Sequence, residues 1–457
     1  MFDFFHSPRK THLVGIAGNG MRALADVLLG RGWPLTGSDW NVAPVQSLAA
    51  AGVRLFQGHA AENVSPDVEL VVSSDAVPID NPEIRRAAEL DIPRLSYFEM
   101  LGRMSESCRT VAIAGTHGKS TVTAMLAHLL VAAGIDPTVV CGAAPLGATS
   151  GGRNGRDDFM VVEACEYLAN FLHLRPQQAV VLNMEPDHFD CYDTPDQLEE
   201  AFRRFAALVP DDGLLLVCHE ICHVTADLKC RVATFGFLPE AEWSAQNLEH
   251  QLGRFRFELH RHGRRLCDVR LQTPGRHNVL NAVAAAALAY ENGVSAEQIS
   301  SGLADFRGLH RRLEQLDAWH GAAVIDDYAH HPTEVSAALA AVRLMHPHDR
   351  VWCVFQPHQA GRTARLLGEL AASLQNADKV LVADIFRARE GPWRPGEVTS
   401  ADLARRAAAF GVEVLPGHAP EEIVKILETQ LASGDVLVTL GAGDVEKYRK
   451  KWIVGSG

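Results

Sequence analysis

The chain has 457 residues, 47% hydrophobic and 22% charged, which is too long for one hydrophobic core and predicts about three domains. Its 43 Lys and Arg against 56 Asp and Glu give a formal charge of -13, which argues against a nucleic-acid partner. An anionic substrate must then be captured locally, by backbone amides, a few Lys or Arg and a divalent cation.

No apolar run approaches the roughly 20 residues that span a bilayer, and the opening residues lack the basic-then-apolar order of a signal peptide. A cytoplasmic protein without membrane contact is expected. The nine cysteines are scattered and odd in number, so reduced thiols are expected rather than a disulfide framework.

The fold class read from the pattern is α/β, because apolar strand, Gly-rich turn and amphipathic helix recur in that order. The first such unit is a strand from Thr11, the loop Gly15-Ile16-Ala17-Gly18-Asn19-Gly20 and a helix from Met21 to about Arg31, with a second strand ending at Ser38-Asp39. A Gly-rich turn in that place can cradle a pyrophosphate, or can serve packing alone; with Asp39 as a ribose-binding acid it also admits a dinucleotide-dependent oxidoreductase.

The polar stretch Arg103–Ser107 marks a boundary, and the pattern restarts with a strand Thr110–Ala114, the turn Gly115-Thr116-His117-Gly118-Lys119-Ser120-Thr121 and a helix to about Ala133. Amides at such a turn wrap phosphates, Lys119 neutralises them, and a hydroxyl of Ser120 or Thr121 can bind a metal. Ile113 stands at the first Gly position of the common phosphate loop.

Glu163 ends a predicted strand Met160–Glu163, and His188 follows the strand Ala179–Asn183, so both lie at carboxyl ends of strands, where doubly wound sheets bind ligands. Solvated strand ends are the ordinary alternative. The cluster Cys218-His219-Glu220-Ile221-Cys222-His223 has zinc-ligand chemistry, but no second ligand pair accompanies it, and a strand end leading into a helix is the preferred reading.

An Ala-rich helix beginning near Asn278 places Asn278 and Asn281 one turn apart, either against a nucleotide or, for Asn278, as a helix cap. Arg311 and Arg312 follow at the second boundary. Beyond Leu313, strands at Ala323–Ile325, Val351–Phe355, Lys379–Val382 and Asp435–Leu440 describe another doubly wound sheet. The titratable block Asp326–His331 follows the first of them, and His358, Gln359 and Arg362 follow the second, where Arg362 can hold a carboxylate.

Together, and in order, these blocks resemble the Mur ligase family, above all in Gly115–Thr121, Phe306–Arg312 and Asp326–Pro332. The resemblance implies three domains, N-terminal Rossmann-like (1–107), central P-loop ATPase-like (108–312) and C-terminal Rossmann-like (313–457). It implies ATP-dependent ligation of L-alanine to the carboxylate of UDP-N-acetylmuramate through an acyl phosphate, in peptidoglycan synthesis, by a monomer or weak homodimer.

The same resemblance implies that Gly115 to Thr121 hold ATP, that Ser120 or Thr121, Glu163 and His188 surround Mg²⁺, and that Lys119 and Arg311 meet the phosphates. Asn278 and Asn281 would flank the adenine and Asp327 the ribose. Gly15, Gly18, Asn19, Gly20, Met21, Ser38, Asp39 and Ser74 would hold the UDP-sugar, and Tyr328, His358 and Arg362 the amino acid. Ala17, Asn19, Asp75, Cys165, Tyr167 and Gln359 depart from the family's usual residues. Competing readings are a recycling ligase that adds a tripeptide to the same nucleotide sugar, the oxidoreductase, and a non-catalytic UDP-sugar sensor.

Overall fold

Short runs of aliphatic and β-branched residues form three sheets in the computed structural model, which describes residues 7–156, 158–388, 390–415 and 417–446. The first comprises β1 (Thr11–Val14), β2 (Leu35–Asp39), β3 (Arg54–Gln57), β4 (Leu70–Ser73) and β5 (Arg94–Ser96), in the order β3-β2-β1-β4-β5. All its pairings are parallel. Strand order reverses beside β1, and Val14 pairs with both Ser38 and Ser73, so the loop after β1 opens at a topological switch point beside Asp39 and Ser74.

The second sheet contains β6 (Arg109–Ala114), β7 (Thr138–Val140), β8 (Gly152–Arg153), β9 (Phe159–Glu163), β10 (Gln178–Val181), β11 (Leu214–Cys218) and β12 (Arg231–Gly236), continued by β13 (Trp243–Gln251), β14 (Arg254–Arg261) and β15 (Arg264–Pro274). Strand β6 lies between β10 and β9, and Ile113 pairs with Glu163 while Ala114 pairs with Val181. The loops after β6, β9 and β10 therefore leave the sheet side by side. Burial on both faces of these strands explains their continuous apolar runs.

The third sheet is β16 (Glu314–Trp319), β17 (Ala322–Asp327), β18 (Val351–Phe355), β19 (Lys379–Val382), β20 (Glu413–Val414) and β21 (Val436–Leu440), ordered β16-β17-β21-β18-β19-β20 with only β16 antiparallel. Alternate residues of β18 enter opposite cores: Val351, Cys353 and Phe355 pack with Leu339 and Leu370, Trp352 and Val354 with Ile423 and Leu427.

These elements form two compact units. The first comprises 1–247, 258–269 and 280–306, and the second 248–257, 270–279 and 307–457. The first two sheets share one continuous core in the first unit, from Leu13 to Cys230. The Ala-rich helix Arg276–Glu291 is divided between the units after Val279. No helix among the described residues is long and apolar enough to cross a membrane.

Several features differ from the sequence reading. The helix expected from Met21 starts at Asn19, because Gly18 in extended conformation (φ -63°, ψ 141°) already serves as its N-cap. The three strands β13–β15 were not foreseen; they are joined by turns in which Leu252 and Gly253, then His262 and Gly263, all have positive φ, the geometry that matches strand twist in a tight hairpin. The Cys218–His223 cluster leads from β11 into short 3-10 turns, and no metal-binding group forms there among the described residues.

Candidate active site

The loop after β1 is held from β2. The amides of Gly15 and Ile16 donate to the Ser38 carbonyl at 2.9 and 3.0 Å, and that of Ala17 to Asp39 Oδ2 at 3.0 Å. A left-handed turn at Gly15 (φ +84°) brings it against Ser74. The amides of Asn19, Gly20 and Met21 open the helix Asn19–Gly30 and have no partner within it. Of the residues read for the nucleotide sugar, Gly15, Ser38 and Asp39 thus shape the loop, and Asn19 to Met21 present its open amides.

Ser38 is fully buried, and its hydroxyl donates to Glu83 Oε2 at 2.6 Å. Glu83 also accepts from Asn63 at 2.6 Å and pairs with His59 at 3.0 Å. Burial raises the Glu83 pKa, but the His12 ring 3.7 Å away and the hydrogen bonds from Ser38 and Asn63 outweigh it and bring it to about 2. Next to the loop, Asp75 accepts a 2.9 Å hydrogen bond from the buried Asn170 amide.

The phosphate loop is braced from β10. Asn183 accepts from the His117 amide at 2.8 Å and donates to its carbonyl at 3.1 Å, while Thr116 Oγ1 accepts from the Glu185 amide at 2.9 Å. Gly118 has φ +85°, and a Cβ there would lie 2.6 Å from Asn281 Oδ1, so this loop tolerates no side chain at 118. Lys119, Ser120 and Thr121 begin the next helix with open amides. Asn281 therefore touches the phosphate loop, whereas Asn278 donates to the Pro274 carbonyl at 2.7 Å in the second unit.

Lys119 Nζ donates to the carbonyls of Gly115 (2.5 Å) and Thr116 (3.1 Å) and to both oxygens of Glu166 (2.8 and 3.1 Å). Glu166 is 1% exposed and also meets His188 Nε2 at 3.2 Å. Burial lowers the Lys119 pKa and raises that of Glu166, but their mutual attraction, joined by Cys165 for Lys119 and by His188 for Glu166, more than reverses both shifts. Glu166 joins two residues singled out in the sequence, yet motif reading did not assign it a role; its partner Lys119 lies 47 positions away.

Glu163 Oε1 receives the Cys141 thiol at 3.2 Å, and the same sulfur lies 3.6 Å from the Ser120 carbonyl, so one side chain links the end of β9 to the loop helix. Glu163 Oε2 and the hydroxyls of Ser120 and Thr121 have no protein hydrogen-bond partner among the described residues. Free hard oxygens beside a phosphate loop suit a divalent cation. His188 stands at φ +54° after β10.

In the second unit, Arg311 is held by its own sheet. Its Nε donates to Asp326 at 3.2 Å, its Nη2 to the Gly441 carbonyl at 2.5 Å, and its guanidinium stacks 5.1 Å from the Tyr328 ring. Asp327 accepts from the amides of Leu313 and Ala329, each at 2.7 Å. Burial dominates over Arg312 and these amides and pushes Asp327 up to about 6. His330 lies 5.5 Å from both Tyr328 and His358, bringing those two together, and Arg362 is buried on the helix Ala360–Arg365. Gln359 precedes that helix at φ +64°.

Such geometry defines an α/β enzyme with a lysine-bearing phosphate loop in its middle sheet. Three Mur ligase models match the chain: the Mur ligase family, catalytic domain at residues 10–109, the Mur ligase middle domain at 113–289, and the Mur ligase, glutamate ligase domain at 311–443. A UDP-N-acetylmuramate–L-alanine ligase of Clostridium novyi is 39% identical over 451 residues, 97% of each chain. The solved UDP-N-acetylmuramate-alanine ligase of Thermotoga maritima superposes with a TM-score of 0.82, 27% identity and coverage of 98% of this chain and 99% of that one. A murein peptide ligase of Psychrobacter arcticus, 24% identical with a TM-score of 0.75 and 98% of each chain covered, shares the fold. The chain belongs to the Mur ligase family and has its three-domain α/β fold.

Proposed function

We propose that the chain joins L-alanine to the carboxylate of UDP-N-acetylmuramate at the expense of ATP, within peptidoglycan precursor synthesis. The observation that carries this reading is the end-to-end likeness to a relative named for that reaction, 39% identical over 97% of both chains. The braced phosphate loop and its Lys119–Glu166 pair supply the matching chemistry. Domain limits of 1–107, 108–312 and 313–457 accompany the proposal.

A carboxylate does not acylate an amine unaided, because it lacks a leaving group. In the reading offered here its oxygen attacks the γ-phosphorus of ATP and the bond to the β,γ-bridging oxygen breaks, giving an acyl phosphate and ADP. The amine of alanine then attacks the acyl carbon, phosphate leaves, and the nitrogen loses a proton. Lys119 and the amides of Lys119, Ser120 and Thr121 offset the phosphate charge, with Gly115 to Gly118 shaping the loop. Glu166 orients Lys119 and His188.

Ser120, Thr121, Glu163 and His188 would hold Mg²⁺, which when bound polarises phosphoryl oxygens. Asn278 and Asn281 are assigned to the adenine, Asp327 to the ribose, Arg311 to the γ-phosphate, and Tyr328, His358 and Arg362 to the amino acid. Gly15, Gly18, Asn19, Gly20, Met21, Ser38, Asp39 and Ser74 are assigned to the UDP-sugar. The test is phosphate release from ATP with UDP-N-acetylmuramate and Mg²⁺, offering L-alanine, L-serine, glycine or the tripeptide separately, with product mass measured. Release that needs L-alanine and yields its adduct is expected; release only with tripeptide moves the assignment to recycling.

A further inference from the structure

The helix Asn19–Gly30 opens with amides that have no partner within it, and the Tyr97 ring stands beside Gly20 in its first turn. A Cβ at Gly20 would lie 2.8 Å from both Cζ and the hydroxyl oxygen of Tyr97. Gly20 does not have positive φ, so its backbone does not demand glycine; the phenol does. Tyr97 is the first residue of the helix Tyr97–Glu106, whose start is set by a reciprocal cap between Ser96 and Glu99, and its ring lies edge-on to Phe98 at 4.8 Å. The ring is thus placed by a well-determined helix start.

The Tyr97 hydroxyl has no hydrogen-bond partner among the described residues, although burial raises its pKa, as do the nearby Glu163, Cys165, Cys141 and Asp75, in that order. It therefore stays a neutral donor beside the first turn of the helix Asn19–Gly30, with Glu163 among the charges that raise its pKa. A lysine or arginine here would be drawn to those carboxylates, whereas a phenol can still donate to an incoming oxyanion.

We propose that the Tyr97 hydroxyl donates a hydrogen bond to an oxyanion of the nucleotide sugar, where that substrate passes from the amides of Asn19, Gly20 and Met21 toward Glu163. The proposal rests on the nucleotide-sugar reading above. Tyr97 is then a binding residue of the acceptor substrate, and Gly20 is the space its phenol needs.

Calorimetry of the full chain with UDP-N-acetylmuramate, without ATP, tests it. Y97F keeps the ring and should raise Kd for the nucleotide sugar about tenfold, the scale of one charge-assisted hydrogen bond, while ADP binding and the unfolding midpoint stay put. G20A should weaken binding by displacing the ring, yet cost nothing further in a Y97A background. Unchanged nucleotide-sugar binding by Y97F, with the wild type binding, overturns this inference alone. A wild-type chain that does not bind UDP-N-acetylmuramate overturns the parent reading as well.

Discussion

The loops after β1 and β6 are both strand-to-helix turns, but they are braced by different means. The first spends the amides of Gly15, Ile16 and Ala17 on Ser38 and Asp39 and has a neutral phenol at its open end. The second is clasped by Asn183 and carries Lys119 against a buried Glu166. A helix N-terminus suffices to attract an anion, while transfer of a phosphoryl group also needs a cation that can follow the developing charge. On the proposed function, these similar turns divide into a holding loop and a reacting loop.

The largest effect should come from removing the cation. Lys119→Ala should lower ligation about a thousandfold in steady-state assays while calorimetry shows UDP-N-acetylmuramate binding intact; equal loss of both would erase the distinction between the loops. Next, Gly118→Ala puts a Cβ 2.6 Å from Asn281 Oδ1 at φ +85°. It should raise KM for ATP on the order of tenfold or more, without moving KM for the nucleotide sugar.

Asp39→Ala, which frees the Ala17 amide, should do the reverse. One lost hydrogen bond, about 1 kcal/mol, predicts a rise of about fivefold in KM for the nucleotide sugar and none for ATP.

The smallest effects concern stability against pH, and they carry opposite signs in the two units. Glu83 has a folded pKa of about 2 against an ordinary 4.5, so its contribution is present above pH 4.5 and fades as pH falls toward 2. Asp327, at about 6 against 3.8, acts the other way: its contribution is complete below 3.8 and is lost as pH rises through 6. Hydrogen exchange between pH 6 and pH 3 should therefore show the first sheet loosening on acidification, and Glu83→Gln should flatten that dependence. Unaltered pH dependence in the variant would exclude Glu83 as its source.

Much of this arrangement was legible because local sequence encodes it. Gly115 to Thr121 lie within one turn between a strand and a helix, and Glu163 and His188 sit at strand ends that parallel pairing must place beside it. Residues whose roles depend on distant partners were not legible. Glu166 has meaning only once Lys119 and His188 reach it, and Glu83 only once His12, Ser38, His59 and Asn63 converge from three other segments.

The hairpins β13–β15 were overlooked for a different reason. Their charged, exposed faces dilute the apolar signal, although Leu252-Gly253 and His262-Gly263 are turn pairs that mark them. Asn278 and Asn281 look equivalent in sequence, one helical turn apart, yet one donates to the Pro274 carbonyl and the other touches Gly118.

Asp75, an oddity when the chain is read alone, has a partner in Asn170, 95 positions away. Asn170 is 7% exposed, so replacing Asp75 with serine would shorten the acceptor and strand a buried amide, at a cost of about 1–3 kcal/mol. Neither position can drift freely without the other. In lineages descending from this protein the two should therefore change together or not at all, a pair of sites inherited as one character across the seam between its first two sheets.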